Sequence, residues 1–522
     1  MRRDFESGPF RWTETEVALE PLGAGVRMRV AFRFGAAGLL GRLLAPRVGP
    51  RSVASVLGYC DQYLARRSAA EPDPVPTRAS PADLDREALA RGLERLSAAP
   101  VQPELVPLLR RRLEEGTDEE LLRVRPYAVA ERWGADRLQV LRLFLHATRA
   151  GLFDLRWELM CPACRVPKDE VGSLTTLPAH FHCDTCGIDY EADFDRRVEL
   201  RFSVHPAVRS ARDDVYCIGA PARSEHVLAQ QTLAPGGTRE MPLQRAEVLH
   251  VRALGEMGSL TLHPRAGTGE GSVGAEIRLV FIGGAWRPAE GGTPWSGATA
   301  RGGAAAALPF TPGKHVLSLA NATPQPVVAL LERDEWDPLA ATAAQVTALQ
   351  EFRDLFSSEV LAPGQEVGVR SLAILFSDLQ GSTAIYEGVG DAPAYGRVHR
   401  HFEFMRARVA ANRGAVVKTI GDSVMAAFSS VRDALTAALE MQRDVGRWCR
   451  EQDIDPPLVL KLGVHEGPVI AVNANGRLDY FGRTVNAAAR LGRESVGGDV
   501  VLLRDVYEEA PRRVPALAGA RA

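Results

Sequence analysis

Leu372-Ala373-Ile374-Leu375-Phe376-Ser377-Asp378-Leu379-Gln380-Gly381-Ser382-Thr383 reads as a short buried strand running into a glycine turn. Asp378 stands where that strand ends. Working outward, Val416-Val417-Lys418-Thr419-Ile420-Gly421-Asp422-Ser423-Val424-Met425-Ala426-Ala427-Phe428 gives two β-rich runs about Gly421-Asp422, a dipeptide suited to a hairpin turn. Two strand ends thus carry carboxylates, and one is followed by a loop of phosphate size, Gly381-Ser382-Thr383. Asp after a strand is ordinary turn chemistry, so either residue alone is as well explained structurally. The third piece is Leu478-Asp479-Tyr480-Phe481-Gly482-Arg483-Thr484-Val485-Asn486-Ala487-Ala488-Ala489-Arg490-Leu491. On a helix, Asn486 and Arg490 project from one face toward one ligand.

With these three motifs in this order and spacing, the chain from about Ser371 to Tyr507 resembles the class III nucleotidyl cyclases, which make cyclic AMP or cyclic GMP. The resemblance implies that Asp378 and Asp422, with Leu379 beside them, hold two divalent cations, Mg2+ or Mn2+. It implies that Lys418 and Asp479 read the purine, that Asn486 orients the ribose and that Arg490 stabilises the reacting phosphate. Gly381, Ser382 and Thr383 are expected near the phosphates. Lys461 stands where relatives often place a base toward the triphosphate; a strand-edge lysine is the equal alternative. Family domains pair head to tail, metal aspartates from one and base, ribose and phosphate residues from the other. One such domain per chain implies a homodimer. Relatives usually continue past the position of Tyr507 into a hairpin with a triphosphate-binding lysine; here 510–522 is rich in Pro, Arg and Ala, which implies weaker substrate affinity.

The chemistry accounts for the residue types. The ribose 3′-hydroxyl attacks the α-phosphorus of its own nucleotide and expels pyrophosphate. Metals lower the hydroxyl's pKa and neutralise charge, so carboxylate ligands are needed. The rest is positioning, and a guanidinium fork suits phosphate oxygens. Adenine offers a donor at N6 and an acceptor at N1, which Asp479 and Lys418 answer. Guanine reverses the pattern, and guanylyl members usually carry Glu at the position of Lys418. The expected activity is that of an adenylate cyclase, a phosphorus-oxygen lyase acting on ATP.

Composition sets the frame. The 522 residues are 46% hydrophobic and 25% charged with net charge −2, the profile of a soluble multidomain protein of about three domains. No global basic field points to nucleic acid. No apolar run long enough for a membrane span appears, and no signal core follows Met1; the expected location is cytoplasmic. Seven cysteines, four of them in two CxxC pairs, point to metal and free thiols rather than a disulfide framework.

In chain order, Phe10 to Phe34 reads as two strands about Gly23-Ala24-Gly25, followed by a helix from Gly38 to Arg67. Residues 1–68 resemble the end of a helix-grip (START-like) module lacking its opening strands. Either the start lies upstream or a remnant packs on its neighbour. Residues 69–81, with Pro72, Pro74, Pro76 and Pro81, form a linker. Residues 82–160 read as helical, with a capping box at Thr117 and a helix-turn-helix about Gly134. That pair fits a packed helical core or a winged helix; the lack of a basic stripe favours the core. Cys161, Cys164, Cys183 and Cys186 have the spacing of a four-cysteine zinc ribbon over 161–195, holding one structural Zn2+. Residues 196–336 alternate short β runs with Gly and Pro, as in an all-β sandwich, with Gly283 to Ala307 a loop. Residues 82–336 look like an uncharacterised module found ahead of bacterial cyclase domains. Asp337-Pro338 opens a helix running to Val360, whose Val346, Leu349, Phe352 and Phe356 would pack on the β module or form a dimer coil. Residues 363–522 are the expected α/β catalytic domain of ferredoxin-like connectivity.

Two other function classes compete with the enzyme. One is a catalytically weakened, nucleotide-binding signalling module, favoured by the short carboxy-terminus. The other is a zinc-ribbon transcription regulator, disfavoured by the missing basic patch.

Overall fold

The computed structural model describes residues 2–4, 10–23, 25–38, 84–184, 186–211, 226–243, 247–256, 259–264, 276–289, 306–310, 315–382, 387, 390–504 and 506–508, with scattered positions in 41–65. The linker 69–81, most of the Gly/Ala loop, Thr383, Cys217 and the tail 510–522 lie outside the described residues. Residues 1–80 and 81–522 are separate compact units.

In the first unit, the alternation of apolar and charged residues produces a long antiparallel hairpin, β2 (Phe10–Leu22) with β3 (Gly25–Ala36). Gly23 turns it at φ +60°. A third strand, β1 (Arg2–Asp4), adds to the two expected. The described positions between 41 and 65 are helical, and Phe32 and Phe34 share an apolar groove with Val53 and Leu57.

The second unit opens with helices α1 (Arg86–Ser97), α2 (Leu105–Glu115), α3 (Asp118–Leu121), α4 (Pro126–Trp133) and α5 (Arg137–Arg149). Thr117 and Glu120 form the expected capping box. Gly134 turns α4 into α5 at φ +61°. Val140, Leu141, Leu143, Phe144, Leu145 and Ala147 of α5 are all buried, so this helix packs into the core of the module. Strands β4 (Phe153–Met160), β5 (Pro167–Val171), β6 (His180–Cys183), β7 (Ile188–Glu191) and β8 (Val198–Val204) follow. β8 pairs with β4, not with the later strands. Its assignment to the sandwich is therefore corrected: an alternating strand looks the same whichever sheet takes it.

The sandwich proper comprises β9 (Val227–Leu233), β10 (Thr238–Leu243), β11 (Leu249–Ala253), β12 (Ser259–Pro264), β13 (Glu276–Ile282), β14 (Ala285–Pro288), β15 (Ala306–Phe310), β16 (His315–Asn321) and β17 (Val327–Arg333). Two sheets, β10-β16-β13-β14 and β15-β12-β11-β17-β9, enclose a core of their own. Gly283 and Gly284, at φ +59° and +76°, make the two-residue turn of the β13–β14 hairpin, rather than opening a loop; positive φ at both positions suits such a turn. The chain leaves the sandwich beside its start, where Arg333 N–H donates to His226 O at 2.9 Å.

The single helix expected from Asp337 to Val360 is two short ones, α6 (Ala343–Thr347) and α7 (Gln350–Leu355). Arg353 Nε donates to Thr347 O at 2.8 Å across the break. Val346, Leu349 and Phe352 are buried within the chain, so the apolar stripe is not offered to a coil partner.

The last part follows the expected order: β18 (Glu366–Leu379), α8 (Asp391–Ala411), β19 (Gly414–Ile420), β20 (Ser423–Phe428), α9 (Val431–Glu451), β21 (Leu460–Ala474), β22 (Arg477–Phe481), α10 (Arg483–Glu494) and β23 (Asp499–Val501). The sheet order is β19-β20-β18-β21-β22 with β23 parallel to β21, and β18 is antiparallel to β20 and β21. This is the ferredoxin-like βαββαβ arrangement, with β21 one long strand where two were expected. Alternation along β18 sends Ala373 and Leu375 to a core shared with α8 and α9. Ile374 joins Met425, Ala427 and Ala488 in a core continuous with the helical module through Phe352 and Trp157.

Candidate active site

β18 delivers Asp378 to the end of the sheet, and the β19–β20 turn, with Gly421 at φ +65°, brings Asp422 beside it. Asp378 Oδ1 accepts from Ser423 Oγ at 2.7 Å. Asp422 Oδ2 accepts from the Leu379 backbone N–H at 3.3 Å. Both carboxylates are half-buried, each with a second oxygen to offer. Such an all-oxygen donor set fits a hard divalent cation of the Mg2+ or Mn2+ kind. Gly381 follows at φ +67°, and Ser382 is half-buried behind it.

Lys418 lies on β19 and Asp479 on β22, the two opposite edges of the sheet. The sheet curls until they meet: Lys418 Nζ donates to Asp479 Oδ2 at 2.6 Å. Asp479 Oδ1 is held by the Tyr480 N–H at 2.8 Å, and Lys418 Nζ lies 4.9 Å from the centroid of the Phe481 ring. A donor and an acceptor thus face each other across a seam. A base entering it must exchange their mutual bond for its own.

Asn486 and Arg490 stand exposed on α10, and among the described residues neither side chain has a hydrogen-bonding partner. The helix is fixed to β21 by glycines. A Cβ on Gly463 would lie 2.2 Å from Gly492 N and 2.7 Å from Ala488 O, so only glycine lets the helix backbone lie this close. At the other end Thr484 Oγ1 donates to Pro468 O at 2.6 Å.

Residues 366–511 match the family described as "Adenylate and Guanylate cyclase catalytic domain". Residues 89–214 match a "Family of unknown function (DUF5939)". The carboxy-terminal domain is a class III adenylate/guanylate cyclase catalytic domain. Among curated relatives, an "Adenylate cyclase" of Lachancea kluyveri is 32% identical over 158 residues, covering 27% of this chain and 8% of its own length. An "Adenylate cyclase" of Mycosarcoma maydis is 29% identical over 160 residues, covering 27% and 6%. The chain therefore spans less than a tenth of either relative. The solved structure of the adenylyl cyclase CyaB from P. aeruginosa is 23% identical, covers 29% of this chain and 84% of its own, and has a TM-score of 0.26. Similar structures also include guanylyl cyclase domains from Blastocladiella emersonii and Catenaria anguillulae.

Within the cyclase domain Lys461 is placed opposite Asp378 in the sheet register, but its Nζ donates to Arg493 O at 3.2 Å. It caps the carboxy-terminal end of α10, where a cation is favoured. His401 on α8 was not foreseen. It is wholly buried, among the described residues neither ring nitrogen has a hydrogen-bonding partner, and burial pulls its pKa down to about 4 against the opposing charge of Asp378. Ser423 was also missed as a partner of Asp378, although it follows Asp422 directly in the motif.

The four cysteines converge far from this site in sequence. Cys161, Cys164, Cys183 and Cys186 place their sulfurs within 4.8 Å of one another. Ala163 N–H points at Cys161 Sγ and Cys186 N–H at Cys183 Sγ, both at 3.4 Å. Gly187 turns the second knuckle at φ +63°. Hydrogen bonding within the cluster pulls the Cys164 thiol down to about 4 and pushes Cys186 up. Four soft ligands at tetrahedral spacing, with amides aimed at sulfur, fit Zn2+. His180 and His182 are exposed, and His182 pairs instead with Asp189 at 2.8 Å.

Proposed function

We propose that the chain is an adenylate cyclase that converts ATP to 3′,5′-cyclic AMP and pyrophosphate as a homodimer, with the residues ahead of the cyclase domain as a regulatory or sensory part. The observation that carries the reading is the Lys418–Asp479 pair. It offers a donor for adenine N1 and an acceptor for N6, the pattern opposite to that needed for guanine. The relatives named adenylate cyclase support the same choice.

Asp378 and Asp422 would hold two divalent cations, with the Leu379 backbone alongside. When bound, these would acidify the ribose 3′-hydroxyl and neutralise the charge developing on phosphate. Lys418 and Asp479 orient the base. Gly381, Ser382 and Thr383 flank the phosphates, Asn486 fixes the ribose, and Arg490 offers its guanidinium to the oxygens of the reacting phosphate. Lys461 acts through α10, holding the helix that presents both.

The homodimer is supported by what surrounds the seam. Ile420 and Phe481 are 52% and 49% exposed, and Ile470 is paired with Phe481 across strands and is itself exposed. Apolar side chains gathered beside a polar site suit burial under a second copy. Arg490 and Asn486, exposed on α10, await a partner's metal site in the same arrangement. A structural Zn2+ on the four cysteines would tie the β6–β7 hairpin to the helical module.

The test is production of cyclic AMP or cyclic GMP by the purified chain, given ATP or GTP in Mg2+ and in Mn2+. Cyclic AMP from ATP in preference to cyclic GMP from GTP is expected. Cyclic GMP as the main product would overturn the base assignment. Nucleotide binding without turnover would leave a signalling module in place of an enzyme.

A further inference from the structure

We infer that Gln350 and Arg353, which lie outside the cyclase domain, are positioning residues for the base-reading pair, and that α7 is the piece through which the helical module sets base recognition. This rests on the reading of Lys418 and Asp479 given above. Those two residues sit on opposite edge strands, so no hydrogen-bond ladder of the sheet fixes the gap between them. α7 lies across that gap. Gln350 Oε1 accepts from Val416 N–H of β19 at 2.8 Å. Arg353 Nη1 donates to Leu478 O of β22 at 2.8 Å, and its guanidinium carbon is 5.4 Å from the centroid of the Tyr480 ring. The Tyr480 hydroxyl in turn meets Thr347 Oγ1 at 3.0 Å, both buried.

The contacts fall on the neighbours of the base-reading residues. Leu478 and Tyr480 flank Asp479. Val416 is two residues before Lys418, and the β19–β20 register shifts between Val416 and Lys418. A bulge of this kind re-aims the side chain that follows it. The clamp therefore holds the two backbone points from which Lys418 and Asp479 project. Donor–acceptor spacing matters because a base that meets only one of the two groups leaves the other buried and unpaired, which weakens binding and blurs the choice between adenine and guanine.

The other side of α7 belongs to the helical module. Glu351 meets Arg142 Nε and His146 Nε2 of α5, each at 2.7 Å. The Phe352 ring centroid lies 5.9 Å from that of Trp157 on β4. One short helix thus touches α5 on one side and both base-bearing strands on the other. A shift of α5 against the sheet reaches the base through Gln350 and Arg353 without any contact to phosphate or metal.

The test compares the full-length wild type with R353A, R353K and Q350A. Binding of fluorescent ATP and GTP analogues and, separately, kcat and KM are measured. R353A should lose about tenfold in ATP affinity and most of its preference over GTP, with kcat changed much less, as expected when a contact shapes binding rather than the transition state. R353K, which can still donate to Leu478 O, should recover most of the preference, and Q350A should show a smaller loss of the same kind. Folded R353A and Q350A that keep the wild-type ATP-to-GTP ratio would overturn the inference while leaving the adenylate cyclase reading intact. A wild type with no preference for ATP would overturn both.

Discussion

Replacing Lys418 by glutamate reverses one half of the base-reading pair. The Lys418 and Asp479 side chains are 32% and 8% exposed and 2.6 Å apart, so the new carboxylate would face a nearly buried one. At about 4 Å and an effective dielectric near 20, that repulsion is about 4 kcal/mol, reduced to about 1–2 kcal/mol by solvent at the exposed partner. Adenine N1 loses its donor, at about 1–3 kcal/mol for an unpaired buried group. Guanine N1–H gains an acceptor, though Asp479 still faces the guanine oxygen. The ATP-to-GTP ratio of kcat/KM should fall by at least about tenfold. K418Q separates charge from pattern, because its amide turns to donate or accept; it should flatten the preference without repulsion. The assay follows both cyclic nucleotides at substrate concentrations well below KM. An unchanged ratio in either variant, with turnover still measurable, would refute the assignment of Lys418 to the base.

Asp378→Ala and Arg490→Ala should each nearly abolish activity alone; co-expressed, about half of random dimers are mixed with one intact site, restoring about a quarter of wild-type activity. Doubly tagged mixed dimers that stay inactive beside an active doubly tagged wild type would exclude a shared site. Protein purified without added metal should hold one zinc per chain on Cys161, Cys164, Cys183 and Cys186, and elemental analysis showing well-folded chains clearly below that ratio would remove the metal assignment. His401 has a folded pKa of about 4 against an ordinary value of 6.5, so the unfolded chain takes up its proton first. Its contribution is present in full above pH 6.5 and lost as pH falls toward 4, by about 3 kcal/mol in all. His401→Leu should flatten the stability of the cyclase domain across that window, and identical pH slopes for variant and wild type would contradict it.

Much of the catalytic architecture was legible because its signals are local. Asp378 and Asp422 sit where apolar runs meet glycine turns, and the spacing of Asn486 and Arg490 is a property of any helix. What escaped depends on partners distant in sequence. β8 alternates like a sandwich strand, yet its ladder goes to β4. Val346, Leu349 and Phe352 keep a helical spacing, but the bond from Arg353 to Thr347 O and burial against the module and the cyclase sheet favour two short helices. Gln350 and Arg353 bind backbone atoms, Val416 N and Leu478 O, and a backbone atom leaves no mark in a sequence. Lys461 reads equally as a phosphate ligand or a strand-edge lysine, and its bond to Arg493 O is again to a backbone atom, which no sequence pattern marks.

The neighbouring ends of the sandwich, joined through Arg333 and His226, bear on how this protein comes apart. Its core is separate from the one that unites the helical module with the cyclase sheet. The buried Arg252–Glu332 pair, at 2.7 Å, lies inside the sandwich rather than across its boundary. The chain departs and returns at one point, and the boundary there is polar: His226 Nε2 meets Ala163 O at 3.1 Å and Arg196 pairs with Asp334 at 3.1 Å, so opening the sandwich breaks these contacts while the two apolar cores stay distinct. Heating should therefore release it as its own cooperative unit, and a melting curve of the whole chain is a sum of transitions from which no single unfolding free energy can be drawn.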